Sequence, residues 1–301
     1  MLYARQDDSV RGGIPRQLSE LIARADSGDA AAQYRYAGVL ERGYATIRPD
    51  TSAALLLYEK AARAGYAPAQ SYLGFLYYKA PHRDVARALE WMESAARSGD
   101  PKACNNLGWL LMEGEGVEHD YAKARYWLRR AADEGLPVAK AQLGDLYRKG
   151  LGVEADTTAA RHLYEDAIAG GFFDAQYPLK AMMMPYFATL TPQEMADLGT
   201  HYRSINAFDL ALALFEMGAQ AGNADALTML GNAYSRGEGV EYSHAKSLEY
   251  FYRGAIAGNE DARRAVAELL EVFPDALEEL PDSLKTSHDS LNGSRVPFNE
   301  K

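Results

Sequence analysis

The sequence predicts an all-α protein built from stacked helix-turn-helix hairpins, and three periodic features carry that prediction. Asp50, Asp84, Asp120 and Asp156 are each followed fifteen positions later by Gly65, Gly99, Gly135 and Gly171, and Ala207 to Gly222 and Ser243 to Gly258 keep the interval. From Gly65, Gly99, Gly135 and Gly222 it is then nine positions to Gly74, Gly108, Gly144 and Gly231, each preceded by Leu. Small pairs recur shortly before the closing glycine, as Ala61-Ala62, Ala95-Ala96, Ala131-Ala132, Gly218-Ala219 and Gly254-Ala255, with Ala167-Ile168 a looser member. An Asp accepts hydrogen bonds from first-turn amides, and a Gly takes the left-handed conformation that ends a helix. Each Asp-to-Gly interval therefore marks a helix B. The constant run to the next Leu-Gly marks a rigid turn and a helix A, while Gly74 to Asp84 (ten positions) against Gly108 to Asp120 (twelve) shows that the other turn is adjustable.

Taken in order, residues 1–14 read as a flexible N-terminus, and "PRQLSELIARADSG" reads as a capping helix with one charged face. Six repeats follow, about 28–64, 65–98, 99–134, 135–170, 171–221 and 222–257, within an array spanning 15–273. In the first, Ala37 replaces the glycine of helix A and Leu40 the Tyr, as suits a terminal repeat under weaker constraint. The second to fourth are regular. Their small pairs and mid-helix glycines predict close helix contact, which offsets roughly 1 kcal/mol of lost helix propensity per interior Gly. The fifth is too long: Gly171 to Gly222 is 51 positions, an ordinary repeat plus about one helix. "FFDAQYPLKAMMMPYF" begins like a helix A but carries Lys180 at the glycine site with Pro178 and Pro185 inside, and "TPQEMADLGTHYRS" then supplies a second helix A. An irregular extra helix near 172–205, with a break or bend in the stacking, is predicted. After the sixth repeat, "EDARRAVAELLEVFPDALEEL" reads as the C-terminal cap, residues 274–301 comprising its end and a flexible tail.

These motifs resemble the Sel-one-like repeat (SLR) family, 36-residue relatives of tetratricopeptide repeats. "AQSYLGFLYY" (69–78), "ACNNLGWLLMEGEGV" (103–117), "AKAQLGDLYRKGLGV" (139–153) and "ALTMLGNAYSRGEGV" (226–240) carry the resemblance, which covers about residues 15–273. It implies a right-handed superhelix, an α/α solenoid, used mainly as an adaptor for protein partners. Some secreted, cysteine-rich members have been linked to penicillin binding and β-lactam hydrolysis. With one cysteine in this chain, that precedent transfers poorly.

Composition narrows the function classes. A hydrophobic fraction of 48% and a charged fraction of 25% are those of a globular chain, and a net charge of −10 opposes a phosphate-backbone partner. A protein or peptide partner, and a basic one, is expected instead. No apolar run approaches a membrane span or a secretory signal, so cytoplasmic residence and no membrane partner are expected. Cys104 falls within a helical pattern and reads as a small buried hydrophobe. The six histidines (82, 119, 162, 201, 244 and 288) occupy different places in their repeats and do not converge. The Gly-x-Gly-Val loops follow helices rather than strands and lack the Walker Lys, so they read as turns. "KARYWLRR" could bind an acidic surface, but Trp127 shares its column with Trp91 and Leu57, which makes a solvated helix face with a core Trp the better reading. No catalytic, metal or cofactor constellation is read, and the chain is expected to be non-enzymatic.

What remains is the surface of the A helices, which in tetratricopeptide-like superhelices faces inward and holds ligands. Counting from the mid-helix glycine, positions three before and one, four and five after it are assigned to that groove. They give Tyr34, Glu41 and Arg42; Ser71, Phe75, Tyr78 and Lys79; Asn105, Trp109, Met112 and Glu113; Ala141, Asp145, Arg148 and Lys149; then Arg203, Asn232 and Arg236. Bulky apolar groups gather in the first three repeats and polar or basic ones beyond. Phe75 and Trp109 either pack beneath a neighbouring helix or form an exposed anchor patch. The expected function is a protein-interaction scaffold clamping a peptide or protein, with a narrower version in which an immunity or regulatory protein sequesters a basic partner. The alternative is a β-lactam or cell-wall hydrolase, which needs an export signal and a convergent Ser, His or carboxylate site.

Overall fold

The computed structural model describes residues 16–44, 47–79, 83–114 and 116–273, with 275, 278, 280, 281 and 284 beyond them. The expected flexible N-terminus, nearly all of the expected tail, His82 and His288 lie outside the described residues. Among the described residues the regular elements are fifteen α-helices and one 3₁₀ turn, and the chain divides into two compact units, Met1–Ala160 and Arg161–Lys301.

The first unit opens with α1 (Arg16–Asp26) and continues through three A–B hairpins: α2 (Ala30–Arg42) with α3 (Thr51–Arg63), α4 (Ala67–Lys79) with α5 (Val85–Arg97), and α6 (Pro101–Glu113) with α7 (Tyr121–Asp133), followed by α8 (Pro137–Lys149). The Asp residues of the repeat cap as their position demands: Asp50, Asp84 and Asp120 accept from the amides of Ala53, Arg87 and Lys123 at 2.9, 3.0 and 2.9 Å. At the start of the same loops, Gly114 and Gly150 end α6 and α8 with φ of 61° and 67°, where a side chain would be strained. The Gly-x-Gly-Val loops are thus helix stops.

Inside each hairpin the mid-helix glycine sets the interhelix distance. A Cβ at Gly108 would lie 2.6 Å from Leu128 Cγ, and one at Gly74 2.5 Å from Met92 Cγ. A large helix B side chain therefore occupies the space a helix A side chain would need. Successive hairpins are tied by a second repeated contact: Gln33 and Gln70 donate to the carbonyls of Ala25 and Ala62 at 3.2 and 3.0 Å, and Cys104 stands in the same slot, its Sγ 3.5 Å from the Ala96 carbonyl. Burial pushes the Cys104 thiol up, away from the reactive thiolate.

The second unit holds α9 (Thr157–Ala169) apart from its first turn, a 3₁₀ turn (Phe173–Ala175), α10 (Gln176–Phe187), the hairpins α11 (Pro192–Ser204) with α12 (Phe208–Gln220) and α13 (Ala224–Arg236) with α14 (His244–Ile256), and α15 (Glu260–Val272). The extra helix is α10. Pro178 falls in its first turn, where the missing N–H is harmless, and Pro185 lies inside it. Lys180, in the glycine column, reaches out to the Asp209 carbonyl at 3.2 Å. α11 takes the helix A role for α12, with Gly199 lying where a Cβ would meet the Phe215 ring at 2.6 Å. It starts at a capping box in which Thr191 and Glu194 exchange hydrogen bonds, and those bonds hold the Glu194 carboxyl below its usual range. At the end of the unit, Leu280 is buried among Leu248, Phe251, Tyr252 and Val266.

The glycine contact predicts a measurable coupling. Gly108→Ala should lower the free energy of unfolding in urea by about 1–3 kcal/mol through overpacking, and Leu128→Ala introduced beside it should be less than additive. Additive losses would show that Gly108 and Leu128 do not set the spacing.

Candidate functional site

The exposed aromatic surface of the first unit starts from Tyr34, half-buried on α2. Its ring meets those of Tyr58 and Tyr66, each at 5.5 Å, and Tyr72 at 6.3 Å. Tyr58 and Tyr72 lie 4.6 Å apart, and Phe75, one turn along α4, stacks on Tyr72 with its ring centroid at 6.4 Å. The cluster is organised by one carboxylate. Glu41 accepts the Tyr58 hydroxyl at 3.0 Å and the Tyr72 hydroxyl at 2.5 Å. Burial, and then the bond to Glu41, push the Tyr58 phenol far above its ordinary value and that of Tyr72 up to about 12. Both are neutral hydrogen-bond donors at neutral pH, not nucleophiles.

On one side of this cluster opens a cavity of about 490 Å³, lined by Tyr34, Tyr72 and Phe75, by Ser71 and Asn106, by Asp100 and Lys102 at the start of α6, and by the turn that contains Glu134 and Leu136. Phe75 is 44% exposed, so it is a wall of the cavity rather than a buried contact. On the other side a second cavity of about 420 Å³ is lined by Glu41, Leu55, Tyr58, Leu76 and Lys79.

The groove residues assigned from sequence separate into distinct settings. Tyr34, Ser71 and Phe75 come together in the larger cavity, and Glu41 and Lys79 in the smaller. Tyr78 is buried, 5.6 Å edge-on from the half-buried Trp109 and covered by Arg83 at 4.3 Å from its ring. Asn105 is buried as well, while Met112 is half-buried and Glu113 exposed. Asp145 and Arg148 pair with each other at 2.7 Å. In the second unit Arg203 grips Glu238 with two hydrogen bonds, at 2.6 and 3.0 Å, and Arg236 stands 3.7 Å from the same carboxylate. The cavity also contains groups that the four-position rule did not select: Tyr72, Asn106, Asp100, Lys102 and Glu134. The aromatic run at 34, 58, 66, 72 and 75 was the available signal for Tyr72. The turn residues gave none, because they reach the cavity only through the stacking of hairpins.

Among the described residues no group of three or more His, Cys, Asp or Glu is placed to hold a metal ion, and no helix is long and apolar enough to cross a membrane. His119 is tied to the Met112 carbonyl at 2.9 Å and stacked on Tyr121, and serves the loop that Gly114 opens.

The family model described as Sel1 repeat matches residues 30–66, 67–100, 101–136, 137–172, 205–223 and 224–259, more than half of the chain. It skips the stretch that contains α10 and α11. Among solved structures, a protective antigen of uropathogenic Escherichia coli strains displaying an SLR fold is 27% identical, with a TM-score of 0.53 over 92% of this chain and 57% of its own. A Sel1 repeat protein from Oxalobacter formigenes is 26% identical, with a TM-score of 0.50 over 82% of this chain and 99% of its own. DAP3-binding cell death enhancer 1 from Mus musculus is 35% identical over 72 residues, 24% of this chain and 14% of the mouse protein. The match thus spans about a seventh of that curated relative's length.

The Glu41 contacts predict a pH dependence. Tyr72 has a higher pKa folded than unfolded, so its contribution to stability is intact below pH ~10 and is lost as pH rises through about 12. Ultraviolet titration of the phenols should show tyrosines that resist ionisation past pH ~10, and Glu41→Gln should move the resistant phase to lower pH. An identical titration in the variant would remove Glu41 from the account.

Proposed function

The chain belongs to the Sel1 repeat family, and from that premise we propose that it is a non-enzymatic scaffold that grips a protein or peptide partner in the aromatic cleft of its first unit. Sel1 repeat proteins generally mediate protein–protein interactions. The single observation that carries the reading is the cleft itself, in which exposed Phe75 and the rings of Tyr34 and Tyr72 line about 490 Å³ of open space. Large rings lose little side-chain entropy on binding and desolvate well, so aromatic anchors dominate interface energies. Such a cleft needs no reacting group. The net charge of −10 favours a basic partner, and a protein that sequesters such a partner, in the manner of an immunity or regulatory protein, is the narrower form of the proposal. Cytoplasmic residence goes with it.

Phe75 is exposed enough for its removal to leave the hairpin intact. Phe75→Ala, used as bait in the native host beside the unmodified chain, should recover its specific partner at a level lower by about tenfold or more, as a lost hot spot of ~2 kcal/mol implies. Its helical circular dichroism should be unchanged. Equal recovery by both baits would exclude the cleft as the binding surface.

A further inference from the structure

We infer that the cleft of the first unit is a receptor for a cationic side chain, an arginine or lysine projecting from the partner polypeptide; this rests on the scaffold reading and specifies its chemistry. The cavity is rich in π faces, and its charged lining holds more carboxylate than ammonium. Tyr72 and Phe75 present stacked rings, and Tyr34 stands beside them. The Tyr72 hydroxyl is committed to Glu41 at 2.5 Å, which removes a donor from the cavity and draws negative charge toward the ring. A ring polarised in this way attracts a cation over its face more strongly.

The polar groups around the rings have the same bias. The Asn106 side-chain amide donates one of its two N–H groups to Ser71 Oγ at 3.3 Å, and its carbonyl oxygen is an acceptor at the cavity. Asp100 spends one carboxylate oxygen on the Ala103 amide at 2.7 Å as the cap of α6, and the second oxygen remains. Glu134 is exposed beside it, so two carboxylates line the cavity against one ammonium, that of Lys102. The nearby Arg130 guanidinium rests over the Trp127 ring at 5.4 Å. An arginine, with five donors on a flat cation, fits stacked rings edged by acceptors. An anionic or purely aliphatic side chain would leave those acceptors unpaired.

The test uses the full-length chain with 13C-labelled Tyr and Phe rings, titrated in separate experiments with N-acetyl-arginine, N-acetyl-citrulline and N-acetyl-glutamate, all as methylamides. Citrulline keeps the shape of arginine and lacks its charge. The expected result is that arginine shifts the Tyr72 and Phe75 signals with a Kd lower than that of citrulline by on the order of fivefold or more, glutamate being weaker still. Glu134→Gln, an exposed change that leaves the hairpins intact, should shrink the arginine advantage while leaving the citrulline Kd unchanged. Equal affinity for arginine and citrulline, tighter binding of glutamate, or no shift at these rings up to the solubility limit of arginine would overturn the inference. Any of those outcomes leaves the scaffold reading standing if Phe75→Ala still loses the partner, whereas undiminished recovery by that bait fells the scaffold reading whatever the probes show.

Discussion

A helical hairpin of this length cannot cover its own apolar face, and everything else in the structure depends on how closely its two helices approach. The mid-helix glycine decides this. At Gly74, Gly108, Gly199 and Gly231 the space of a missing Cβ is taken by Met92, Leu128, Phe215 and Phe251 of the paired helix. The B helix thereby sinks its large side chain into the A helix backbone, and the small pairs near its C-terminal end leave room for the next hairpin. The gain in burial offsets the helix propensity lost at glycine. Stacking then continues through the recurrent bond from Gln33, Gln70 or Cys104 to a carbonyl of the preceding helix.

The first repeat departs from this rule, and the cleft is built on the departure. Ala37 stands where glycine is usual, and Tyr58 occupies the facing helix with its hydroxyl turned to Glu41. A buried phenol needs a hydrogen-bond partner, and Glu41 serves two at once, which fixes Tyr58 and Tyr72 relative to each other. Tyr34 and Phe75 are held on either side of that pair. A ring held in place by such bonds has less ordering cost to meet on binding.

The second unit follows the glycine rule after an insertion. α10 lacks the glycine, and its Lys180 is too large and too polar to lie under a helix B, so its ammonium extends to the Asp209 carbonyl. Phe173, Tyr177, Met184 and Tyr186 on and before this helix remain exposed, from 38% to 60%. α11 restores the pattern with Gly199. The Arg203–Glu238 pair, half-buried and bidentate, then fastens α11 to the loop beyond α13. Arg203 and Arg236 are thereby engaged with a carboxylate of their own unit.

The amino-acid sequence by itself determined the all-α class, the hairpin register, the Asp caps, the glycine stops and the extra helix. Each of these is local chemistry: an N-cap, a left-handed glycine or a proline acts within one turn of its own position. It also determined that, at the groove positions of the A helices, bulky apolar residues gather in the first three repeats. Tertiary structure alone decided which of them meet a cavity. Phe75 and Tyr78 lie three positions apart on one helix, yet Phe75 is open and Tyr78 is closed over by Trp109 and Arg83. Asp100, Lys102 and Glu134 reach the Tyr72 cavity only because hairpins stack, and Glu41 finds Tyr72 across 31 positions of chain. Periodicity assigns a face to a residue; which neighbour covers that face is set by contacts between distant segments, and the repeat spacing carries no record of them.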